Sequence, residues 1–378
     1  MSAGGQIEKP RFFIDLLQYQ YEIGNIGCIT DHTINASTIY PNLIGLSPTR
    51  KYNGTSSADQ YRSVYIGFKH PISIPSTDMF IAMLGHQFKN DNFGYKVVFN
   101  TFVDASDTSW LNQIDAYGWE SLENICNGSE AGSSPDYDGW SISKFTPSNL
   151  TNEICMIRVL IKNDNWVTGQ AWNFNLGNIA LGMIYEPEFH TDLSVTQSRI
   201  MDGVKNKQTK GGSTYSVINY TKPPNWWTGS PFELTDPSVI TSPVAFSNAR
   251  IGRRSWDVGF SQLSDRFYTD GVPNGVFPAN DMVNRNLPDT VNGNYSEDED
   301  YYTSDEGSKF NYNINNDTSL YSTVYHHTLG GTLPFLFSPS PDNSPQNFAV
   351  CRFDKPGFSV TQKSYKKFNV KMKINESW

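Results

Sequence analysis

The chain has little charge, few cysteines and no long apolar run. Of its 378 residues only 18% are charged, against about 25% in an average soluble protein. No run of about 18 apolar residues occurs, so the sequence predicts no membrane-spanning helix. Its first residues, MSAGGQIEKPRFF, lack the basic and apolar regions of a secretory signal. We therefore expect the protein to fold in the compartment that makes it.

The sequence also lacks the patterns that mark cofactor sites and common catalytic sites. Its four cysteines, at 28, 126, 155 and 351, show no CxxC spacing, which favours reduced, partly buried thiols over a zinc site or a disulfide framework. The nucleotide-binding patterns GxxxxGK[ST] and GxGxxG are absent, as are GxSxG and HExxH. A net charge of −9 does not favour a nucleic-acid partner. We predict no cofactor, no metal and no enzymatic activity.

Aromatic residues make up 14% of the chain, and their spacing favours strands. Apolar and polar residues alternate over Tyr95–Val103, Asn178–Tyr185 and the C-terminal Phe368–Asn375, as in strands with one buried face. Glu153–Ile161 is almost continuously apolar, as in a strand that is covered on both faces. Frequent Asn-Gly and Asp-Gly pairs separate such runs. The sequence therefore predicts an all-β protein with a sandwich or barrel architecture.

We predict three parts along the chain. Residues 10–195 form a jelly-roll-like β sandwich, residues 196–243 an extended connector rich in proline and glycine, and residues 244–378 a small β domain. The prolines of the connector argue against a central strand there. Its adjacent Trp226 and Trp227 are expected to anchor it to a protein surface. Within the last part, residues 271–318 form a long acidic and Asn-rich loop.

Three groups of residues are weaker candidates for chemistry. Tyr321–Thr328 alternates like a strand, so His326 and His327 are expected on opposite faces, one packed and one exposed, without a shared metal. Trp140 and Trp172 are either a sugar-stacking platform or core residues. The carboxylates that could form a glycosidase pair are Asp115, Glu120 and Asp138, and their separation in space decides whether they do.

Three motifs in the last half of the chain stand in a specific order. They are Gly252-Arg-Arg-Ser-Trp256, Pro334-Phe-Leu-Phe337 and the terminal Glu376-Ser-Trp378. This series resembles a group of virion structural proteins of tailed bacteriophages, and the last part also resembles the β domains of tail-tube, distal-tail and hub proteins. The resemblance implies a tail-tip, baseplate or tail-hub subunit that is made in the bacterial cytoplasm, joins a ring of identical copies and contacts other virion proteins.

The residues themselves suggest where such a subunit makes contacts. On a strand, Arg254 and Trp256 share one face and Arg253 lies opposite. Arg254 over Trp256 is either an internal cation–π contact or an anchor for a neighbour. We add Arg352 and Trp378 as candidate interface residues. The alternatives are a head-to-tail connector or capsid-associated protein, and a carbohydrate- or receptor-binding module of a tail fibre or adhesin.

Overall fold

A computed structural model describes most of the chain. The described residues are 9–31, 40–46, 51–56, 59–72, 78–100, 121–130, 132–147, 154–187, 189–200, 204–218, 252–264, 319–364 and 367–377. The predicted acidic loop at 271–318 therefore lies outside them, as do Trp226, Trp227 and Trp378.

Strands dominate the described residues. In chain order the strands are β1 (Arg11–Asp15), β2 (Ile26–Asp31), β3 (Tyr52–Ser56), β4 (Tyr61–Ile72), β5 (Met79–His86), β6 (Phe93–Asn100), β7 (Glu123–Cys126), β8 (Gly139–Phe145), β9 (Ile154–Asn163), β10 (Trp172–Leu176), β11 (Asn178–Tyr185), β12 (Thr196–Ile200), β13 (Val204–Gln208), β14 (Thr214–Ile218), β15 (Arg253–Ser264), β16 (Phe335–Ser338), β17 (Ala349–Phe353), β18 (Val360–Ser364) and β19 (Lys367–Glu376). The helices are α1 (Leu16–Glu22), α2 (Phe88–Asp91), a π-helix (Tyr321–His326) and two 3₁₀ turns (Pro41–Leu43 and Pro345–Asn347). Within the described part of the chain, none of them has the length and apolar character needed to cross a bilayer.

Two antiparallel sheets form the body of the molecule. The larger has eleven strands in the order β12-β15-β19-β17-β16-β1-β11-β5-β8-β7, with β18 also paired to β19. The smaller has four strands in the order β2-β4-β9-β6. One hydrophobic cluster joins them, because it contains Val64 and Ile66 of β4 together with Ile81 and Met83 of β5. The predicted all-β sandwich is therefore confirmed.

The larger sheet is buried on both faces over much of its width. On β5, Ile81 and Met83 face the smaller sheet, whereas Phe80 and Leu84 belong to a second cluster on the opposite face. Such a strand needs an apolar residue at nearly every position, and all eight residues of β5 are buried.

Several strand predictions are confirmed. Asn178–Tyr185 is a strand over the same bounds, and the apolar Ile154–Asn163 is a largely buried strand of the smaller sheet. The last strand, β19, alternates between buried and more exposed positions and pairs antiparallel with β15. The burial of β9 and β19 follows the apolar pattern of the sequence, whereas β11, predicted to have one buried face, is buried at nearly every position.

The larger sheet crosses the boundary that the sequence predicts near residue 196. Strand β1 pairs on one side with β11 and on the other with β16, through Phe12↔Tyr185 and Phe12↔Phe337. The start of the predicted connector also contains regular structure, since β12 is the end strand of this sheet and β13 and β14 form a hairpin. The prolines that argue against strands begin at residue 223, after these elements.

The predicted strand over Tyr321–Thr328 is wrong, because the segment is a π-helix. Just before this helix, the Ser319 hydroxyl accepts a hydrogen bond from the Ser322 amide at 3.2 Å. Leu320 and Val324, four residues apart, are both buried in the cluster beneath β15, β16 and β19. The apolar residues of this segment fit both a helix and a strand pattern. Packing of Leu320 and Val324 against the sheet favours the helix.

Candidate assembly interface

In the described part of the chain, β12 is an end strand of the larger sheet and has a strand neighbour on one side. All five of its residues are exposed, and β15 is its one strand neighbour among the described residues. The pairing runs from Thr196↔Asp257 to Ile200↔Arg253 without a register shift. The opposite end of the sheet differs, because β7 has four residues and a register shift next to Cys126. Of the two ends, β12 is therefore the better template for another strand.

The segment before β12 is fixed to the sheet by Asp192. The Asp192 amide donates to the Gly259 carbonyl oxygen at 2.8 Å, and its carboxylate accepts from the Ser261 amide at 3.0 Å and the Ser261 hydroxyl at 2.6 Å. Directly after this anchor, Leu193 is 96% exposed. An apolar side chain beside an open strand edge is typical of a contact surface.

Strands β13 and β14 follow β12 and form a separate two-stranded sheet. Their turn is closed by the Thr209 amide, which donates to the Ser213 carbonyl oxygen at 2.8 Å, and by Gly212, whose φ is +84°. Residues 205–217 are all exposed. This hairpin lies within the predicted extended connector, although two short β-prone runs around Lys210-Gly-Gly212 are a usual hairpin signal. We call residues 204–218 the arm.

Arg254 and Trp256, both predicted as interface candidates, are buried inside the chain. The Arg254 guanidinium lies 5.2 Å from the centre of the Trp256 ring. It also forms an ion pair with Glu376, with Nη2 and Oε1 at 3.0 Å, and donates to the Phe348 carbonyl oxygen at 3.1 Å. The shared strand face of Arg254 and Trp256 is confirmed, and their contact is internal. As neither side chain is exposed, the prediction that they anchor a neighbour is corrected.

This buried ion pair ties three strands together. Glu376 also accepts a hydrogen bond from the backbone amide of Arg254 at 2.8 Å, and it lies opposite Cys351 of β17. Burial, followed by the nearby Glu376 carboxylate, raises the pKa of the Cys351 thiol well above its usual value. The thiol is therefore protonated and packs as an apolar group. Loss of one charged partner would leave the other buried and uncompensated, which costs about 3–5 kcal/mol.

The other predicted interface residues have different surroundings. Arg253 is half-buried, and its strand pairs with the exposed β12. Arg352 is exposed and donates to the Thr332 carbonyl oxygen at 2.6 Å. Their role in an interface stays a prediction.

Trp140 and Trp172 are core residues, so a stacking platform made from them is excluded. Trp140 is 2% exposed and packs with Tyr137 and Phe348. Trp172 is 8% exposed, and its indole nitrogen donates to the Asp59 carbonyl oxygen at 2.6 Å. Both indoles serve the sandwich core, the alternative that the sequence left open, because their faces are covered by other side chains.

The candidate catalytic and metal-binding residues do not form a site in the described part of the chain. Asp138 accepts hydrogen bonds from the Lys89 and Asn90 amides at the start of α2, while Asp115 and Glu120 lie outside the described residues. Nowhere among the described residues do three or more His, Cys, Asp or Glu side chains gather in a way that suits a metal ion.

His326 and His327 are placed by the π-helix. His327 is fully buried, and burial lowers its pKa to about 3, whereas the half-buried His326 lies 2.8 Å from the Tyr19 hydroxyl through Nε2. One histidine thus packs inside, as predicted. The other, His326, was predicted to be exposed, but it is half-buried because it contacts Tyr19 of α1.

Comparison with known proteins gives no family. No protein-family profile matches the chain, and no curated protein matches it either. Among solved structures, it has a likeness to the Spr0440 glycoside hydrolase domain, Endo-D, of Streptococcus pneumoniae R6, at 12% identity and a TM-score of 0.20. The match covers 55% of this chain and 30% of that chain. A likeness of this size carries no argument about fold or activity.

Proposed function

We propose that the chain is a structural subunit of a tailed-bacteriophage virion, at the tail tip, baseplate or tail hub, that assembles with copies of itself and with other virion proteins. The observation that carries this proposal is the exposed strand β12, which ends an eleven-stranded sheet and has no second strand neighbour among the described residues. The order of the Gly-Arg-Arg-Ser-Trp, Pro-Phe-Leu-Phe and Glu-Ser-Trp motifs supports the phage setting. The protein acts by assembly and without a cofactor.

The physical case begins with the backbone of β12. An unpaired strand edge presents a row of amide and carbonyl groups that another strand can satisfy, and proteins that stay monomeric usually block such edges with charges, prolines or bulges. Strand β12, Thr196-Gln-Ser-Arg-Ile200, has one charged residue and no proline, and its pairing with β15 has no bulge. Addition of a neighbour's strand to such an edge is a common mode of assembly.

Exposed apolar side chains at the edge favour the same contact. Ile200 is 41% exposed and Leu193 is 96% exposed, and both lie at the β12 end of the sheet. A neighbour that pairs with β12 would cover them, and burial of apolar area stabilises a complex by roughly 25 cal/mol per Å² before the costs of association.

One substitution tests the edge without weakening the fold. Thr196 faces Asp257 across the β12–β15 pair, so Thr196→Lys adds a charge to the open edge while placing it opposite a carboxylate of its own sheet. We expect unchanged thermal stability and at least about tenfold weaker self-association in sedimentation velocity, because a lysine blocks edge pairing. The matched control is Thr168→Lys, in an exposed turn. Equal association of both variants and the wild-type chain would contradict the role of β12.

The place in the virion needs a separate measurement. Gold-labelled antibody against residues 1–190 should mark the tail end of particles purified from the source culture. Label on the head would favour the head-to-tail connector or capsid-associated alternative instead. Absence of label, together with absence of the chain from virion mass spectra, would overturn the proposal.

A further inference from the structure

The outward side of the last strands carries a group of cations. Strand β19 alternates between core residues and residues that point away from the core. Arg352 of β17 lies directly opposite Asn375, an outward residue of β19. Arg253 of β15 shares a face with Ser255, which lies opposite the same asparagine. We call this surface the basic face, and its cations are Arg253, Arg352, Lys367, Lys371 and Lys373.

One of these cations is compensated within the sheet. Lys373 lies opposite Asp257 of β15. Its ammonium nitrogen also lies 3.9 Å from the Asp354 carboxylate. The two carboxylates therefore balance the charge around Lys373.

Lys371, on the same face, has different surroundings. Its side chain is exposed, and its register partner on β15 is Gly259, which has no side chain. The Asp192 carboxylate lies beside this glycine, but it already accepts hydrogen bonds from the Ser261 amide and hydroxyl. The face around Lys371 is therefore suited to a further acidic group.

Two parts of the chain from residue 196 onward have opposite charge. The described residues there contain twelve lysines and arginines and four aspartates and glutamates, a net charge of +8. Residues 265–318, which include the predicted acidic loop and lie outside the described residues, contain three lysines and arginines and eleven acidic residues, a net charge of −8. We call them the acidic segment. Opposite charges guide and orient contacts, so the acidic segment matches the basic face in sign and size of charge.

The connections of the acidic segment bring it close to this face. It begins directly after Ser264, which pairs with Lys367 of the basic face. The chain is described again from Ser319, and the next residue is buried beneath the same strands. The 18 residues between Asp300 and Ser319 can span up to about 60 Å, whereas the ten residues of β19 extend about 34 Å. A segment tethered at this distance has a high effective concentration, which favours it over a second copy.

We propose that the acidic segment, through its most acidic run Glu297–Asp300, docks on the basic face of its own chain around Lys371. The contact balances two oppositely charged parts of one molecule and screens the basic face from other anions. It is independent of the proposed assembly function, which uses the edge of β12.

Crosslinking of the full chain tests where the segment lies and in which copy. An equal mixture of unlabelled and ¹⁵N-labelled chain is treated with a water-soluble carbodiimide, which joins carboxylates and lysines in direct contact. Peptide mapping should join Glu297–Asp300 to Lys367, Lys371 or Lys373 within chains of one isotope. We expect these crosslinks to be about tenfold more abundant than those to Lys69 and Lys89, which are also exposed, as four exposed ion pairs of ordinary strength would give. High salt should remove the difference.

Two results of this experiment would overturn the inference. Crosslinks to Lys69 and Lys89 as abundant as those to the basic face would show that the segment has no preferred contact. Crosslinks that mostly join chains of different isotopes would give the contact to a second copy. In both cases the effect of Thr196→Lys on self-association would still decide the assembly function separately.

A pair of variants tests the screening of the basic face. The segment variant carries Glu297→Gln, Asp298→Asn, Glu299→Gln and Asp300→Asn. The control makes the same change in net charge at exposed positions elsewhere, through Glu22→Gln, Glu123→Gln, Glu130→Gln and Asp136→Asn. We expect the segment variant to bind a fluorescent single-stranded oligonucleotide about tenfold more tightly than the control at low salt, because the basic face is no longer covered.

Thermal melting checks that both variants remain folded. Equal affinity of the two variants for the oligonucleotide would overturn the screening. A wild-type chain that binds the oligonucleotide as tightly as the segment variant would assign the basic face to a nucleic acid and so overturn the inference.

Discussion

At the scale of single residues, the most unusual group is the carboxyl of Asp15 at the start of α1. Oδ1 accepts hydrogen bonds from the Leu17 and Gln18 amides at 3.0 and 3.3 Å, whereas Oδ2 is buried without a hydrogen-bond partner. Burial raises the pKa of Asp15 to about 7, against an opposing effect of the backbone hydrogen bonds. The folded protein thus holds a proton on this carboxyl over a pH range in which the unfolded chain has released it.

The pH dependence of stability follows from this difference. Below about pH 4 both states bind the proton, and between about pH 4 and 7 only the folded state does. The free energy of unfolding therefore falls as pH rises through this window. Asp15→Asn keeps the side-chain oxygen that caps α1 and does not titrate. We therefore expect its free energy of unfolding to equal that of the wild-type chain near pH 4 and to exceed it by about 2–4 kcal/mol near pH 8.

Urea denaturation at the two pH values checks this expectation. The control is Glu22→Gln, on the exposed end of the same helix, which should show no comparable change. A gain from Asp15→Asn that is the same at both pH values would contradict a buried, titrating carboxyl.

At the scale of elements, β1 and β11 approach each other closely at one glycine. Gly182 lies opposite Asp15, and a Cβ added there would stand 1.9 Å from the Ile14 carbonyl oxygen and 2.7 Å from the Leu16 amide. These are backbone atoms, so neither strand can yield without loss of pairing. The alternating pattern of Asn178–Tyr185 predicted the strand and gave no sign of this approach.

We therefore expect Gly182→Ala to destabilise the protein by about 3 kcal/mol or more. The matched control is Gly27→Ala in β2, where the nearest atoms are 3.5 Å or more from the added Cβ. Chemical denaturation compares the two variants, and a similar, small effect of both would show that β1 and β11 have room to move.

At the scale of the whole molecule, β1 links the two ends of the chain. It lies between β11 and β16 in one continuous sheet, although more than 300 residues separate Phe12 from its partner Phe337. Aromatic contacts also join these strands, because the centre of the Phe12 ring lies 5.2 Å from that of Phe337 and 6.1 Å from that of Tyr185. This arrangement favours joint folding of the parts before and after residue 196.

Unfolding should therefore be one cooperative transition. Hydrogen exchange followed by mass spectrometry should show β5 and β19 losing protection at the same denaturant concentration, because both belong to the sheet that β1 completes. Loss of protection in β19 while β5 stays protected would instead favour the predicted division into two domains.

The sequence by itself determined the strands with a clear apolar pattern and the all-β class. Period-two alternation over β19 and the continuous apolar run of β9 fix which side chains are buried, since a strand places neighbours on opposite faces. The alternation over β11 predicted the strand, but both of its faces are buried because the larger sheet is covered on both sides there. The same local pattern was misleading for Tyr321–Thr328, where the burial of Leu320 and Val324 against the sheet favours a helix.

Only the tertiary structure decided which strands meet and which candidate residues remain at the surface. The pairing of β1 with β16, the ion pair of Arg254 with Glu376 and the burial of Trp140 and Trp172 all depend on residues distant in sequence. Pairing of strands is non-local, and a pattern of apolar residues shows that a face is covered without showing what covers it. For the same reason, the sequence did not predict that β12 is an exposed end strand or that the arm is exposed.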